Sequence, residues 1–120
     1  MAATAQMNDT ETSSARIQSF DDFWPFYLSE HRNPFNRALH FAGTTMALAA
    51  AASSVVLGPQ MIPAALVCGY GPAWIGHFFI EKNRPASFKY PAWSFRADFK
   101  MYGMMWQRKL GDELARHGIG

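Results

Sequence analysis

Residues 38–80 contain no Asp, Glu, Lys or Arg: Arg37 is the last charge before them and Glu81 the first after, leaving 43 uncharged residues in a row. A stretch of that length has to find an apolar environment, either a bilayer or a protein core. Gly58-Pro59 divides it in the middle, with 18 residues from His40 to Gly58 and 18 from Pro59 to His77. Folded back at that Gly-Pro, it forms a hairpin whose two histidines come to the same level. If the hairpin crosses a membrane, that level is one bilayer face, where ionisable groups are costly and usually functional.

The flanks and arms support a hairpin of helices. Asn33-Pro34 is a helix start, with Asn as N-cap and Pro in the first turn. The first helix is expected to run from 34 to 57 and stop at Gly58. Its 24 residues would reach about 36 Å at 1.5 Å per residue, more than a bilayer core of about 30 Å. It is rich in Ala, with Gly43, Ser53 and Ser54, and small residues suit close helix contacts in lipid. The second span, expected over 61–81, is interrupted by Gly69, Gly71, Pro72 and Gly76, which predicts a kink or break near Gly69. Arg32, Arg37, Lys82, Arg84 and Lys89 flank the open end, while Gly58-Pro59-Gln60 is uncharged. The positive-inside rule then puts both termini in the cytoplasm, whether the membrane is a bacterial inner membrane or the endoplasmic reticulum. A helical hairpin buried in a soluble bundle would carry the same pattern.

The first 18 residues are small and polar and lack an apolar leader core, so they read as a disordered tail on a single domain spanning 19–116. Phe20, Phe23, Trp24, Phe26, Tyr27 and Leu28 form an aromatic helix that suits a membrane interface or a packed core. From Ser94 an amphipathic helix is expected to 116. Its stripe of Phe95, Phe99, Tyr102, Trp106 and Leu110 would either lie in the interface or cover the hairpin. The fold class is therefore all-α: a central transmembrane hairpin with flanking interfacial helices. A net charge of +2, with scattered basic residues, argues against a nucleic-acid binder. Cys68, the single cysteine, can form neither an internal disulfide nor a CxxC metal motif.

The chemistry-bearing residues gather at the hairpin's open end. His31 precedes the Asn33 cap, and Asn36 and His40 share a face four residues apart, as do His77 and Glu81. Two or three imidazoles with a carboxylate suit a divalent transition metal, iron(II) foremost and zinc next. Glu81 would either ligate or accept the second ring N–H of a ligating histidine. Two other readings stay open: a structural His/Asn/Glu network that locks the hairpin's register, and bis-histidine haem ligation by His40 and His77. His117 reads as an exposed tail residue.

Two blocks carry a resemblance. His31-Arg32-Asn33-Pro34-Phe35-Asn36-Arg37-Ala38-Leu39-His40 has the form H-x4-N-x3-H, and Gly76-His77-Phe78-Phe79-Ile80-Glu81-Lys82-Asn83-Arg84-Pro85-Ala86 has the form G-H-x3-E-x3-P-A. Over roughly Phe20 to Tyr102 the chain resembles the domain of unknown function 962 family, whose best-understood members are the 2-hydroxy fatty acid dioxygenases of fatty acid alpha-oxidation. The resemblance implies a multi-pass membrane enzyme that uses iron(II) and dioxygen to shorten a 2-hydroxy fatty acid by one carbon. It implies His31, His40 and His77 as metal ligands; the residue pattern adds Glu81 to the catalytic set, as a ligand or as a partner to one. Asn36 would support the site, and Arg37, Lys82 or Arg84 would attract the substrate carboxylate. Partners are then the lipid bilayer, a fatty-acyl substrate and dioxygen, with a homo-oligomer left open. Eukaryotic members carry a longer membrane region between the blocks; here one tight hairpin joins them. A small membrane scaffold or lipid-binding protein remains the alternative.

Overall fold

A computed structural model describes residues 16–119. They are helical, as the sequence predicts. Helix α1 is Phe20–Ser29, α2 is Pro34–Leu57 and α3 is Met61–Ile75. A π-helical turn, Gly76–Glu81, continues α3, and a 3-10 turn, Ala86–Phe88, leads into α4, Pro91–Trp106, and α5, Leu110–Arg116. Most of the expected tail lies outside the described residues. Of its last three, Ile17 N donates to Tyr90 Oη at 2.8 Å and Arg16 Nη2 to the Lys89 carbonyl at 2.8 Å.

Helices α2 and α3 form the predicted hairpin. Asn33 Oδ1 accepts from Phe35 N at 2.8 Å, capping α2 as expected, and Gly58 closes it with φ of 109°, a value that L side chains rarely adopt. The buried residues of α2 are Asn36, His40, Gly43 and Ala50, a narrow stripe of small and polar side chains facing α3. A Cβ at Gly43 would come within 2.9 Å of the Cys68 carbonyl oxygen and 3.3 Å of Pro72 Cβ. Glycine therefore lets α2 approach the backbone of α3 at that level. The apolar residues point outward, with Val55 88% and Val67 71% exposed, and α3 buries none of its residues.

Two local expectations are corrected. Of the kink or break expected near Gly69, no break occurs: α3 runs unbroken through Pro72, and the backbone changes to the π-helical segment at Gly76. The predicted 94–116 helix is two helices, because Arg108 adopts a left-handed φ of 60° between α4 and α5. The buried stripe of α4 is Ser94, Ala97 and Met101. Phe95, Phe99 and Trp106 of the predicted stripe lie on the exposed side.

The hydrophobic core lies below the hairpin. Phe23, Tyr27, Leu28, Ala97 and Met101 are essentially inaccessible, packed with Trp24, Tyr90, Leu110 and Leu114. Rings surround Phe23, with Tyr90 at 5.3 Å and Trp93 at 5.7 Å between centroids. Trp24 Nε1 reaches across to donate to Glu113 Oε2 at 2.6 Å, and Glu113 also pairs with Arg116 and His117. The hydrogen bond from Trp24 leads, with Arg116 next, in holding the Glu113 carboxyl down at about 2. His117 is thus tied into this base rather than loose.

Candidate metal centre at the hairpin foot

His31, His40 and His77 come together where the hairpin meets the aromatic base. All three are buried, and each offers a nitrogen within 4.8 Å of the others. Their ring centroids lie 4.5, 4.5 and 5.1 Å apart and the rings stand nearly perpendicular, at 79°, 81° and 88°. Three imidazoles at this spacing can hold one metal ion.

Each histidine is oriented from outside the cluster. His31 follows α1, and its Nδ1 lies 2.6 Å from the Tyr27 carbonyl oxygen. The Tyr27 ring stacks on it at 4.1 Å between centroids. His40 Nδ1 lies 3.0 Å from the Asn36 carbonyl oxygen. A carbonyl only accepts, so both Nδ1 atoms carry the proton. His77 Nδ1 lies 2.7 Å from Asn83 Oδ1, and Asn83 Nδ2 donates to the Glu30 carbonyl at 3.1 Å. That second bond sets which way the Asn83 amide faces, so His77 Nδ1 is also a donor. In each neutral ring Nε2 is left as a bare lone pair, and His31 Nε2 and His40 Nε2 are only 3.1 Å apart. Two lone pairs at that distance repel unless a cation lies between them. Burial first, then His40 and His77, push the His31 imidazole well below its ordinary pKa, so a proton is poorly suited to that place.

The spacing within each block has a geometric reason here. Asn36 is fully buried, and a Cβ at Gly76 would lie 1.7 Å from its Oδ1, so any larger residue at the start of the π-helical turn would displace the Asn36 side chain. The π-helical turn widens the backbone at His77, a distortion common at functional sites. Lys82 then turns left-handed, φ 60°, which brings Asn83 back beneath His77.

Glu81 does not join the histidines. Its Oε2 accepts from Asn33 N at 2.6 Å and from Asn36 Nδ2 at 3.2 Å, fastening the end of the π-helical turn to the start of α2. Arg37, Lys82 and Arg84 are not among the residues that line the cavity beside the histidines. Arg37 Nη1 donates to the carbonyls of His31, at 2.7 Å, and Arg32, at 2.8 Å, clasping the turn before α2. Lys82 forms the left-handed turn, and Arg84 lies along a different surface beside Glu30 and Phe88.

The cluster opens on a cavity of about 20 Å³, room for roughly one water-sized molecule. Its walls include Tyr27, Tyr70, Trp74, Ser87, Ser94 and Asp98, and among the described residues no lysine or arginine. A haem between His40 and His77 has no room there. Tyr27 Oη donates to Asp98 Oδ1. Burial raises the Asp98 carboxyl to about 6, the Tyr27 hydrogen bond opposing. Spacing within the sequence blocks did not single out Tyr27, Asn83, Ser94 or Asp98. Only Asn83 offered a signal, as a polar residue inside the second block.

A buried three-histidine cluster at the foot of an apolar helical hairpin defines the class: a helical protein whose histidines could hold one metal ion. The chain matches the Mpo1-like family, described as 2-hydroxy-palmitic acid dioxygenase Mpo1-like, over residues 17–110, and it belongs to that family. No curated protein matches it. No solved structure matches it.

Proposed function

We propose that this protein is a membrane-embedded iron(II) dioxygenase that shortens 2-hydroxy fatty acids by one carbon. The observation that carries the reading is the set of bare Nε2 lone pairs, two of them 3.1 Å apart with their Nδ1 protons committed elsewhere. This donor set fits a divalent metal, and His31, His40 and His77 would hold it. Bound there, iron(II) would supply a centre at which dioxygen oxidises a 2-hydroxy acid. One dioxygen converts that acid to the acid one carbon shorter, carbon dioxide and water, so no further reductant is needed. Tyr27, Asn36 and Asn83 keep the rings in the tautomer that leaves Nε2 free. Glu81 holds the hairpin foot closed, and the packed base keeps bulk water from the cluster.

The membrane reading rests on α2, which is long and apolar enough to cross a bilayer, with only 11% of its most apolar stretch buried. The exposed apolar side chains of α3 extend the same surface. Together they favour two crossings with both termini on the cytoplasmic side and the histidines near that face. The family's described activity agrees with this chemistry.

The test is elemental analysis of detergent-purified protein after iron(II) loading, followed by oxygen uptake with 2-hydroxyhexadecanoic acid. Wild type should carry close to one iron per chain and consume oxygen; His77→Ala should lose both. A wild type without metal or oxygen uptake sinks the proposal and favours a structural His/Asn/Glu network, for which the hydrogen bonds of Asn36, Glu81 and Asn83 are the motif.

A further inference from the structure

One wall of the histidine cavity carries polar groups that the metal reading does not use. Ser94 is 3% exposed, and its Oγ has no hydrogen-bond partner among the described residues. A buried hydroxyl without a partner is costly, which marks it as a place for an external polar group. Asp98 lies one helical turn further along α4. Tyr27 occupies its Oδ1, and among the described residues no hydrogen bond engages its second oxygen.

Asp98 also lines a second cavity, of about 100 Å³, between α2, α3 and α4. Tyr70 and Ala73 are common to both cavities, so the second continues from the first. Its floor is Ala47, Ala65, Gly69 and Ala73, small residues that leave a furrow along the hairpin. From Ala73 to Ala65 the furrow follows α3 for roughly 12 Å at 1.5 Å per residue. Leu66, Phe95 and Phe99 form its rim and are 57%, 58% and 40% exposed, so it opens sideways onto the apolar surface of the hairpin. An apolar furrow with a lateral mouth and one polar end suits a single-chain amphiphile whose tail arrives from lipid.

Resting on the dioxygenase reading, we propose that this furrow holds the acyl chain of a 2-hydroxy fatty acid, with Asp98 accepting a hydrogen bond from the 2-hydroxyl and Ser94 donating to the carboxylate. Asp98 is then the residue that selects a hydroxylated chain over a plain one. A site built to hydrogen-bond a hydroxyl discriminates strongly against the ligand that lacks it, because its own polar group is left unpaired. Among the described residues no lysine or arginine lines either cavity, which makes the selection one of hydrogen bonding rather than of charge alone.

The test is anaerobic calorimetric binding of 2-hydroxyhexadecanoic acid and hexadecanoic acid to the iron(II)-loaded full chain in detergent. Wild type should prefer the hydroxylated acid. Asp98→Asn can still accept from Tyr27 but offers an N–H donor in place of the free oxygen. It should reduce that preference about tenfold or more, the size expected for a hydrogen bond to a charged acceptor, while iron content stays at the wild-type level. Asp98→Glu should recover part of it. Ser94→Ala should weaken both acids alike. Ala65→Phe, which blocks the far end of the furrow, should weaken the sixteen-carbon acid and spare 2-hydroxyoctanoic acid.

Wild-type preference retained by a folded, iron-loaded Asp98→Asn overturns the Asp98 assignment. Unchanged chain-length selection in Ala65→Phe overturns the furrow, and this arm stands even if Asp98→Asn fails to fold. Failure of wild type to bind iron at all defeats the dioxygenase reading itself, a result separable from either.

Discussion

The aromatic base and the helical hairpin solve the burial problem in opposite ways. In the base, Phe23 and Leu28 are fully buried and Met101 almost so, while polar residues such as Asp21 and Gln107 face out. In the hairpin the large apolar residues face out, and the buried positions of α2 are Asn36, His40, Gly43 and Ala50. The base is held by the hydrophobic effect and needs water around it. The hairpin is held by close backbone approach and buried hydrogen bonds, which is how helices associate in lipid. The histidine cluster lies at their junction, with His31 delivered by the base and His40 and His77 by the hairpin.

The contrast can be broken most directly at Phe23. Phe23→Ala should destabilise the protein by about 3–5 kcal/mol, the usual loss for a fully buried ring, measured by chemical unfolding in detergent micelles. Next comes the hairpin surface. Leu48, 43% exposed on α2, is well placed for a charge test. Leu48→Arg should disfavour insertion by about 2.5–3.5 kcal/mol, read as protein lost from the alkali-resistant membrane fraction. Gln107→Arg, on the exposed side of the base, should leave that fraction unchanged. If Leu48→Arg also leaves it unchanged, the hairpin is not in lipid.

At the junction, Gly76→Ala should cost about 1–3 kcal/mol through overpacking against Asn36, with loss of bound metal. Asn36→Ala in the same chain should remove part of the clash, so the two changes should be strongly non-additive in a double-mutant cycle. Within the base, the low pKa of Glu113 stabilises the folded state above its ordinary value of 4.5, and the benefit is lost as pH falls towards about 2. Glu113→Gln should therefore flatten the melting temperature over that acid range and change little in shape near pH 7. The smallest effect belongs to the hairpin tip. Val55→Ala, at a side chain 88% exposed, should fall within about 0.5 kcal/mol. A much larger loss there would show that something covers the tip.

The hairpin was legible because the pattern that makes it is local. Asn33-Pro34 and Gly58 mark the ends of α2 by capping chemistry, and the charge-free run marks its length. The histidine cluster was legible for a related reason, since a hairpin closed at Gly58-Pro59 has to return His77 to the level of His40. The role of Glu81 was not. Its helical spacing from His77 is compatible with ligation, and only the approach of α2 shows that Asn33 N and Asn36 Nδ2 claim the carboxylate. Arg37 is similar: its charge points to substrate, but its donors serve the carbonyls of His31 and Arg32. On α4 the sequence pattern left the aromatic stripe open between the membrane interface and a face covering the hairpin. Burial instead went to Ser94, Ala97 and Met101, whose smaller cross-section lets the helix lie close to the base.

By itself the sequence determined an all-helical chain, the hairpin and its turn, and the three histidines that meet at its foot, because caps, breakers and charge-free length act over a few neighbouring residues. Only the tertiary structure decided which nitrogen of each ring is free, that Glu81 ties the π-helical turn to the start of α2, and that Ser94 and Asp98 face the cavity. Those facts depend on partners such as Tyr27, Asn83 and the Asn36 carbonyl, whose orientation relative to each ring no spacing along the chain records.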